Sequence, residues 1–110
     1  MISDKLLEEV AAHLNSEITH CGIGEGIGPD ADDVLLADEL VRKAANSYID
    51  GYEVIKEIYI DETEQNDKQL SNAGVYGASN TVLFAGGQID VLKKAGESLT
   101  VSIEITVERN

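Results

Sequence analysis

The amino-acid sequence predicts a mainly β protein, a small antiparallel β-sandwich with an N-terminal α-helix. Three observations support this fold class. The C-terminal residues alternate between apolar and polar, several short β-rich runs are separated by glycine turns, and only the N-terminal residues follow the helical period. A chain of 110 residues has room for one domain with a modest core, which we place at 1–110.

The N-terminal helix is predicted over residues 3–15. Ser3 or Asp4 can accept hydrogen bonds from the free N–H groups of the first turn. A helix this short is marginal alone in water, so we expect it to dock on the rest of the chain. Its apolar face is formed by residues at helical spacing: Leu6, Leu7, Val10, Ala11 and Leu14.

The rest of the chain, residues 17–109, is predicted to be rich in β-structure, beginning with a strand at 18–24 and a loop at 24–33. The segment 34–45 is ambiguous. Leu36, Leu40 and Ala44 fit one face of a helix, but a loop that places these leucines under a sheet fits equally well.

Further strands are predicted from short β-rich runs between turn residues. A polar connection is expected at 62–68, and Gly86 and Gly87 are expected to break the chain between two strands. The runs lie at residues 52–61, 70–76, 81–85 and 88–92.

The last strand has the clearest pattern. Leu99, Val101, Ile103, Ile105 and Val107 alternate with polar residues, which places one face in the core and the other in water. Such alternation is typical of an antiparallel sheet that is covered on one face.

Net charge is the strongest compositional signal. The chain has 21 Asp and Glu against 8 Lys and Arg, which gives a formal charge of −13. We expect no nucleic-acid partner, because phosphate binding needs basic residues, and an anionic membrane surface is disfavoured for the same reason. The favoured interpretation is solubility, with a cation-rich environment as the alternative.

Targeting signals are not expected. The sequence contains no run of about 18 apolar residues, so we predict no membrane insertion. The acidic N-terminus does not fit a signal peptide, which predicts a protein that is made in a cytoplasm and stays there unless another machine exports or packages it.

The candidate reactive residues are interpreted as structural. Cys21 is the single cysteine, which excludes an internal disulfide, and we place it in the core. His20 precedes Cys21 and lies on the opposite face of the same strand, and both His13 and His20 are expected at the surface or an edge. With no nucleophile beside an acid or base, we predict no enzyme activity and no cofactor.

The glycine run is the most informative motif. Gly22, Gly24 and Gly26 alternate with other residues, and no basic residue follows until Arg42, so a phosphate loop is disfavoured and a shaped structural loop is favoured.

Three acids after this run, Asp30, Asp32 and Asp33, are candidate calcium ligands, but their spacing is not that of an EF-hand. A solvated acidic loop is the favoured interpretation, and no metal is expected. Near the other end of the chain, Lys93 and Lys94 are interpreted as part of a turn, with contact to an acidic neighbouring subunit as the alternative.

Taken in order, these motifs resemble small structural proteins of tailed viruses, of the tail-fibre-like kind. The resemblance runs through the glycine turn, the acidic segment that closes on Arg42-Lys43, the run 71–76 and the final alternating strand at 93–107. Asn72 stands where many relatives carry an acid, and Val75-Tyr76 replaces their Leu-Phe. The structural motif comprises Gly22, Gly24, Gly26, Leu36, Leu40, Arg42, Gly74 and Gly96.

The resemblance implies a non-enzymatic component of a virion that acts through multivalent protein–protein contacts. A tail-fibre or baseplate-associated part is favoured, with a capsid decoration or turret protein as the alternative. The implied partners are other virion proteins and copies of the chain itself, with a trimer favoured. A small cytoplasmic binding module is the alternative from another class.

Overall fold

A computed structural model describes residues 1–108, and it has the predicted fold, a small antiparallel β-sandwich with an N-terminal helix. Residue 109, the last of the predicted β-rich part, lies outside the described residues. Helix α1 spans Asp4–Glu17. The strands are β1 (His20–Gly24), β2 (Glu39–Ala44), β3 (Asn46–Asp50), β4 (Glu53–Ile60), β5 (Lys68–Gly77), β6 (Val82–Lys93) and β7 (Leu99–Thr106).

The strands form two antiparallel sheets. Sheet A has the order β2-β1-β5-β6, and sheet B has the order β3-β4-β7. Their facing sides share one apolar core, in which Ile23 and Val75 of sheet A and Ile58 of sheet B are buried. Because alternate residues of a strand point to opposite faces, each sheet also has an outer face.

Helix α1 begins one residue later and ends two residues later than predicted. Ser3 caps it, since its hydroxyl accepts a hydrogen bond from the N–H of Leu6 at 3.2 Å. The helix packs against β3 and β4 and buries Leu7 and Ala11. Leu6 and Val10 of the predicted apolar face remain exposed.

The ambiguous segment 34–45 is not a helix. It is an irregular stretch that runs into β2, which pairs with β1 from His20–Ala44 to Gly24–Glu39. The loop alternative is therefore confirmed for the first part of the segment. The sequence pattern does not reveal β2 because Leu36 and Leu40 have helical spacing. In the fold, Leu36 packs on the outer side of sheet A and Leu40 packs against the main core.

The glycine pair in β6 does not break the strand, so that expectation was wrong. Gly86 pairs with Gly74 and Gly87 with Ala73, and the strand runs on to Lys93. Strand β3 was not predicted at all. The alternation of the last strand is confirmed, because Leu99, Val101, Ile103 and Ile105 are half-buried against the core while the residues between them are exposed.

Candidate functional site

The outer face of sheet A carries a row of glycines. Strand pairing aligns Gly22 with Gly74 and Gly74 with Gly86, so the row crosses β1, β5 and β6, and Arg42 of β2 lies opposite Gly22 at its end. A β-carbon at Gly22 would lie 3.0 Å from the Tyr76 ring and 3.3 Å from Leu36. The row is therefore a trough whose space is occupied by side chains from elsewhere in the chain.

Three apolar side chains fill this trough. Leu36, Tyr76 and Leu83 form a second, smaller buried cluster on the outer side of sheet A. The hydroxyl of Tyr76 accepts a hydrogen bond from the N–H of Leu36 at 2.9 Å, which fixes the irregular segment onto the strand. Burial raises the pKa of Tyr76 above its ordinary value.

Arg42 closes one end of the trough. Its guanidinium carbon lies 3.5 Å from the centre of the Tyr76 ring, a cation–π contact. It also donates two hydrogen bonds to the Glu39 carboxylate, at 3.0 and 2.8 Å, and one to the carbonyl of Asn80 at 2.8 Å. The hydrogen bond to Glu39 raises the pKa of Arg42 further. These contacts hold Arg42 in one orientation, so it supports the fold locally.

A cover loop, residues 25–38, lies over the outer face of sheet A. The Asn72 amide donates to the carbonyl of Ala37 at 3.0 Å, and the N–H of Leu83 donates to the carbonyl of Val34 at 2.9 Å. Ser71 donates its hydroxyl proton to the carbonyl of Gly26 at 2.7 Å. The loop is thereby joined to both β5 and β6.

Where the cover loop meets β6, it presents an exposed apolar surface. We call Val34 and Leu35 the loop surface; Val34 is 59% exposed and Leu35 is 52% exposed. A shallow pocket of about 250 Å³ opens beside Phe84, between Pro29 and β6. Asp30 and Asp33 also line that pocket, so an apolar surface and an acidic rim are adjacent.

The acids that were considered as calcium ligands lie in the cover loop and are exposed. Asp33 accepts a hydrogen bond from the N–H of Asp30 at 2.8 Å, which closes a turn and leaves Asp32 outside the contact. In the part of the chain that the structure describes, no three of His, Cys, Asp and Glu are placed to hold a metal ion.

Cys21 is a core residue, as predicted. It is fully buried between the sheets, and burial raises its pKa to about 11, so the thiol keeps its proton near neutral pH. His13 is exposed on α1, 4.0 Å from the Glu17 carboxylate. His20 is half-buried on the internal strand β1, with Nδ1 2.8 Å from the Thr19 hydroxyl. Cys21 therefore contributes to core packing, and the two histidines make local contacts with Glu17 and Thr19.

Two buried lysines were missed by sequence reasoning. Lys56 is fully buried, and its ammonium donates to the carbonyl and side-chain oxygens of Asn15 and to the hydroxyl of Ser47, at 2.8 to 3.0 Å. Burial lowers the pKa of Lys56. Lys93 was assigned to a turn, but it ends β6 and is buried, with its ammonium 2.8 Å from the Asn66 side-chain oxygen. Its head group is therefore not free for a neighbouring subunit.

Fewer basic groups than the sequence suggests are thus available at the surface. Arg42 and Lys43 are paired with Glu39 and Glu64, at 2.8 and 2.6 Å. Lys56 and Lys93 are buried as well, so few basic groups are left free to attract an acidic partner.

Most of the structural motif is brought together on one face. Gly22, Gly24, Gly26, Leu36, Arg42 and Gly74 all lie at the trough or under the cover loop. The other two residues lie elsewhere. Leu40 packs on the main core, and Gly96 occupies the turn between β6 and β7 with a φ of +84°, which favours glycine.

No family model, no curated protein and no solved structure matches this chain. The likeness to tailed-virus proteins therefore stays a prediction from the ordered motifs. Within residues 1–108, α1 is too short and too polar to cross a membrane.

Proposed function

We propose that this protein is a non-enzymatic structural component of a virion, associated with the tail fibre or baseplate, and that it acts through multivalent protein–protein contacts. In this proposal the loop surface docks onto a neighbouring virion protein. Many copies add their modest individual contacts as avidity.

One observation carries the proposal. Six of the eight residues of the structural motif are distant in sequence, yet they meet on the outer face of sheet A, where hydrogen bonds hold the cover loop. The result of this arrangement is a cover loop that is fixed in place and exposes Val34 and Leu35. Exposed apolar residues on a rigid support, beside a polar rim, are typical of protein-binding surfaces.

The electrostatics favour a particular kind of neighbour. Asp30 and Asp33 stand beside Phe84 at the pocket, and the bases closest in sequence, Arg42 and Lys43, are engaged in ion pairs. A partner surface that joins an apolar contact with Lys or Arg residues would complement this region.

The chemistry of the buried groups supports a role without catalysis. Cys21 is protonated in the core, and Lys56 is held by three neutral oxygen atoms. Both groups stabilise packing between elements.

The placement is tested by gold-labelled antibody imaging of purified particles from the source virus or an induced host. Label confined to the tail or its tip supports the fibre or baseplate assignment. Label spread over the heads would replace it with the capsid-decoration alternative. Unlabelled particles, with the protein present in the lysate, would remove the virion proposal and favour the small binding module.

A matched pair of variants tests the loop surface. Leu35→Asp places a charge at a residue that is 52% exposed, and Leu92→Asp does the same on β6 at a residue that is 51% exposed. We expect Leu35→Asp to reduce incorporation into particles, with Leu92→Asp near the unmodified level. Equal incorporation of both variants, at equal thermal stability, would contradict the role of the loop surface.

A further inference from the structure

Strand β3 is an exposed edge. It is the outermost strand of sheet B beside β4, and all five of its residues are exposed. Tyr48 is 55% exposed and Ile49 is 46% exposed, so the strand presents large β-forming side chains to water.

The other edge strands are protected in a way that β3 is not. Proteins guard sheet edges with charges inside the strand, because an open edge invites pairing with another chain. Among the described strands, edge β2 carries Arg42 and Lys43 in its interior, edge β6 carries Asp90, and edge β7 carries Glu104. In β3 the single charge is Asp50, at its end. This exception occurs in a chain that has 21 acidic residues.

The geometry of the β3–β4 hairpin decides which main-chain groups face outward. The hairpin closes with the pair Asp50–Glu53, and pairs alternate along the ladder between hydrogen-bonded and non-hydrogen-bonded. Asn46, Tyr48 and Asp50 therefore direct their N–H and C=O groups to β4, while Ser47 and Ile49 direct theirs away from it.

One antiparallel register joins two such edges completely. With Tyr48 opposite Tyr48 of a second copy, Ser47 of each copy lies opposite Ile49 of the other, and their outward groups can exchange four hydrogen bonds. In the same register Asp50 lies opposite Asn46, so the acids of the two copies do not face each other. The paired strands therefore place no acid directly opposite another acid.

We propose that β3 is the contact through which two copies of this chain pair edge to edge, antiparallel, about a two-fold axis at Tyr48. Two copies of sheet B then form one continuous six-stranded sheet. The inference goes beyond the proposed function, whose docking surface lies on sheet A, and it names a dimer contact in place of the trimer favoured by the resemblance.

The test is sedimentation velocity of the full chain from micromolar to millimolar concentration. The expected result is a monomer–dimer equilibrium. Tyr48→Glu should raise the dimer dissociation constant about tenfold, because two like charges then face each other in place of an aromatic pair. Tyr59→Glu is the control, since Tyr59 is 47% exposed and lies on the internal strand β4.

A second variant, which should bind more tightly, separates an effect on the dimer contact from a loss of folding. Asn46→Lys places an ammonium opposite Asp50 of the other copy at two symmetric positions, so the dissociation constant should fall about threefold at low salt. A chain that stays monomeric, one that forms trimers without dimers, or equal effects of Tyr48→Glu and Tyr59→Glu would each overturn the proposal. Because the measurement needs no particles, its failure is distinguishable from a failure of the virion assignment.

Discussion

The two outer faces of the sandwich are built in opposite ways. On sheet A the outer face has no side chains along the glycine row, and the cover loop, Tyr76 and Leu36 occupy that space. On sheet B the outer face keeps its side chains, and Tyr59, Thr100 and Glu104 remain exposed to water.

The comparison shows that other segments pack directly on the strand backbone of sheet A, and that they do not do so on the outer face of sheet B. A glycine in a strand interior weakens the strand, so a row of glycines is maintained where another segment must approach closely. Sheet A therefore has both faces covered, while sheet B has one covered and one open. Substitutions should reveal this contrast as a difference in sensitivity.

The largest expected effect is at the centre of the glycine row. In Gly74→Val the new side chain meets Leu83 and lies 2.9 Å from the carbonyl of Ala85, so overpacking should cost about 3 kcal/mol of unfolding free energy. Urea denaturation measures this loss. Gly87→Val is the control, because a β-carbon there meets no atom within 4 Å, and an equal loss in both variants would contradict a filled trough.

A smaller effect is expected from the hydrogen bond that fastens the cover loop. Tyr76→Phe removes the acceptor of the buried N–H of Leu36 and should cost about 1–2 kcal/mol. The same change at the exposed Tyr59 should cost less than about 0.5 kcal/mol. If chemical denaturation gives equal losses of unfolding free energy for the two variants, the Tyr76 hydroxyl does not fasten the cover loop.

Arg42→Lys should cost about 1 kcal/mol, because an ammonium cannot make the paired contact with Glu39 while stacking on Tyr76. Thermal unfolding in low salt is the measurement. Lys94→Arg, at an exposed position after β6, serves as the control and should leave the midpoint unchanged. If Arg42→Lys leaves the unfolding midpoint unchanged, a positive charge at this position is enough for full stability, and the guanidinium geometry is not needed.

The smallest effect is expected on the open face of sheet B. A hydrogen bond shared with Glu104 raises the pKa of Glu53, so the folded chain holds this proton more tightly than the unfolded chain. The resulting stabilisation is present in acid and is lost as the pH rises through the raised pKa. The Glu104→Gln variant should lack this pH-dependent loss of stability. Thermal melts between acid and neutral pH can follow it, and Glu97→Gln is the control. Parallel pH profiles for the unmodified chain and Glu104→Gln would contradict the shared proton.

Local patterns were enough to predict part of this molecule. The cap at Ser3, the alternation from Leu99 to Ile105 and the buried Cys21 follow from residues close in sequence. Helical and strand periods are properties of short windows, so they are visible without knowledge of the partners.

Other features depend on which strands are neighbours. Gly22, Gly74 and Gly86 form a row because the registers of β1, β5 and β6 bring them together, and no short window contains all three. Lys56 looks like a surface residue in sequence, but it is buried because α1 and β3 supply the oxygen atoms that its ammonium needs.

The sequence by itself therefore determined the β-sandwich class, the capped helix and the acidic character of the chain. Only the tertiary structure decided that segment 34–45 divides into a cover loop and β2, that β6 continues through Gly86, and that β3 is an open edge. The physical reason is that strand pairing and the filling of a trough are long-range interactions. Their energy depends on residues that are distant along the chain and adjacent in the fold.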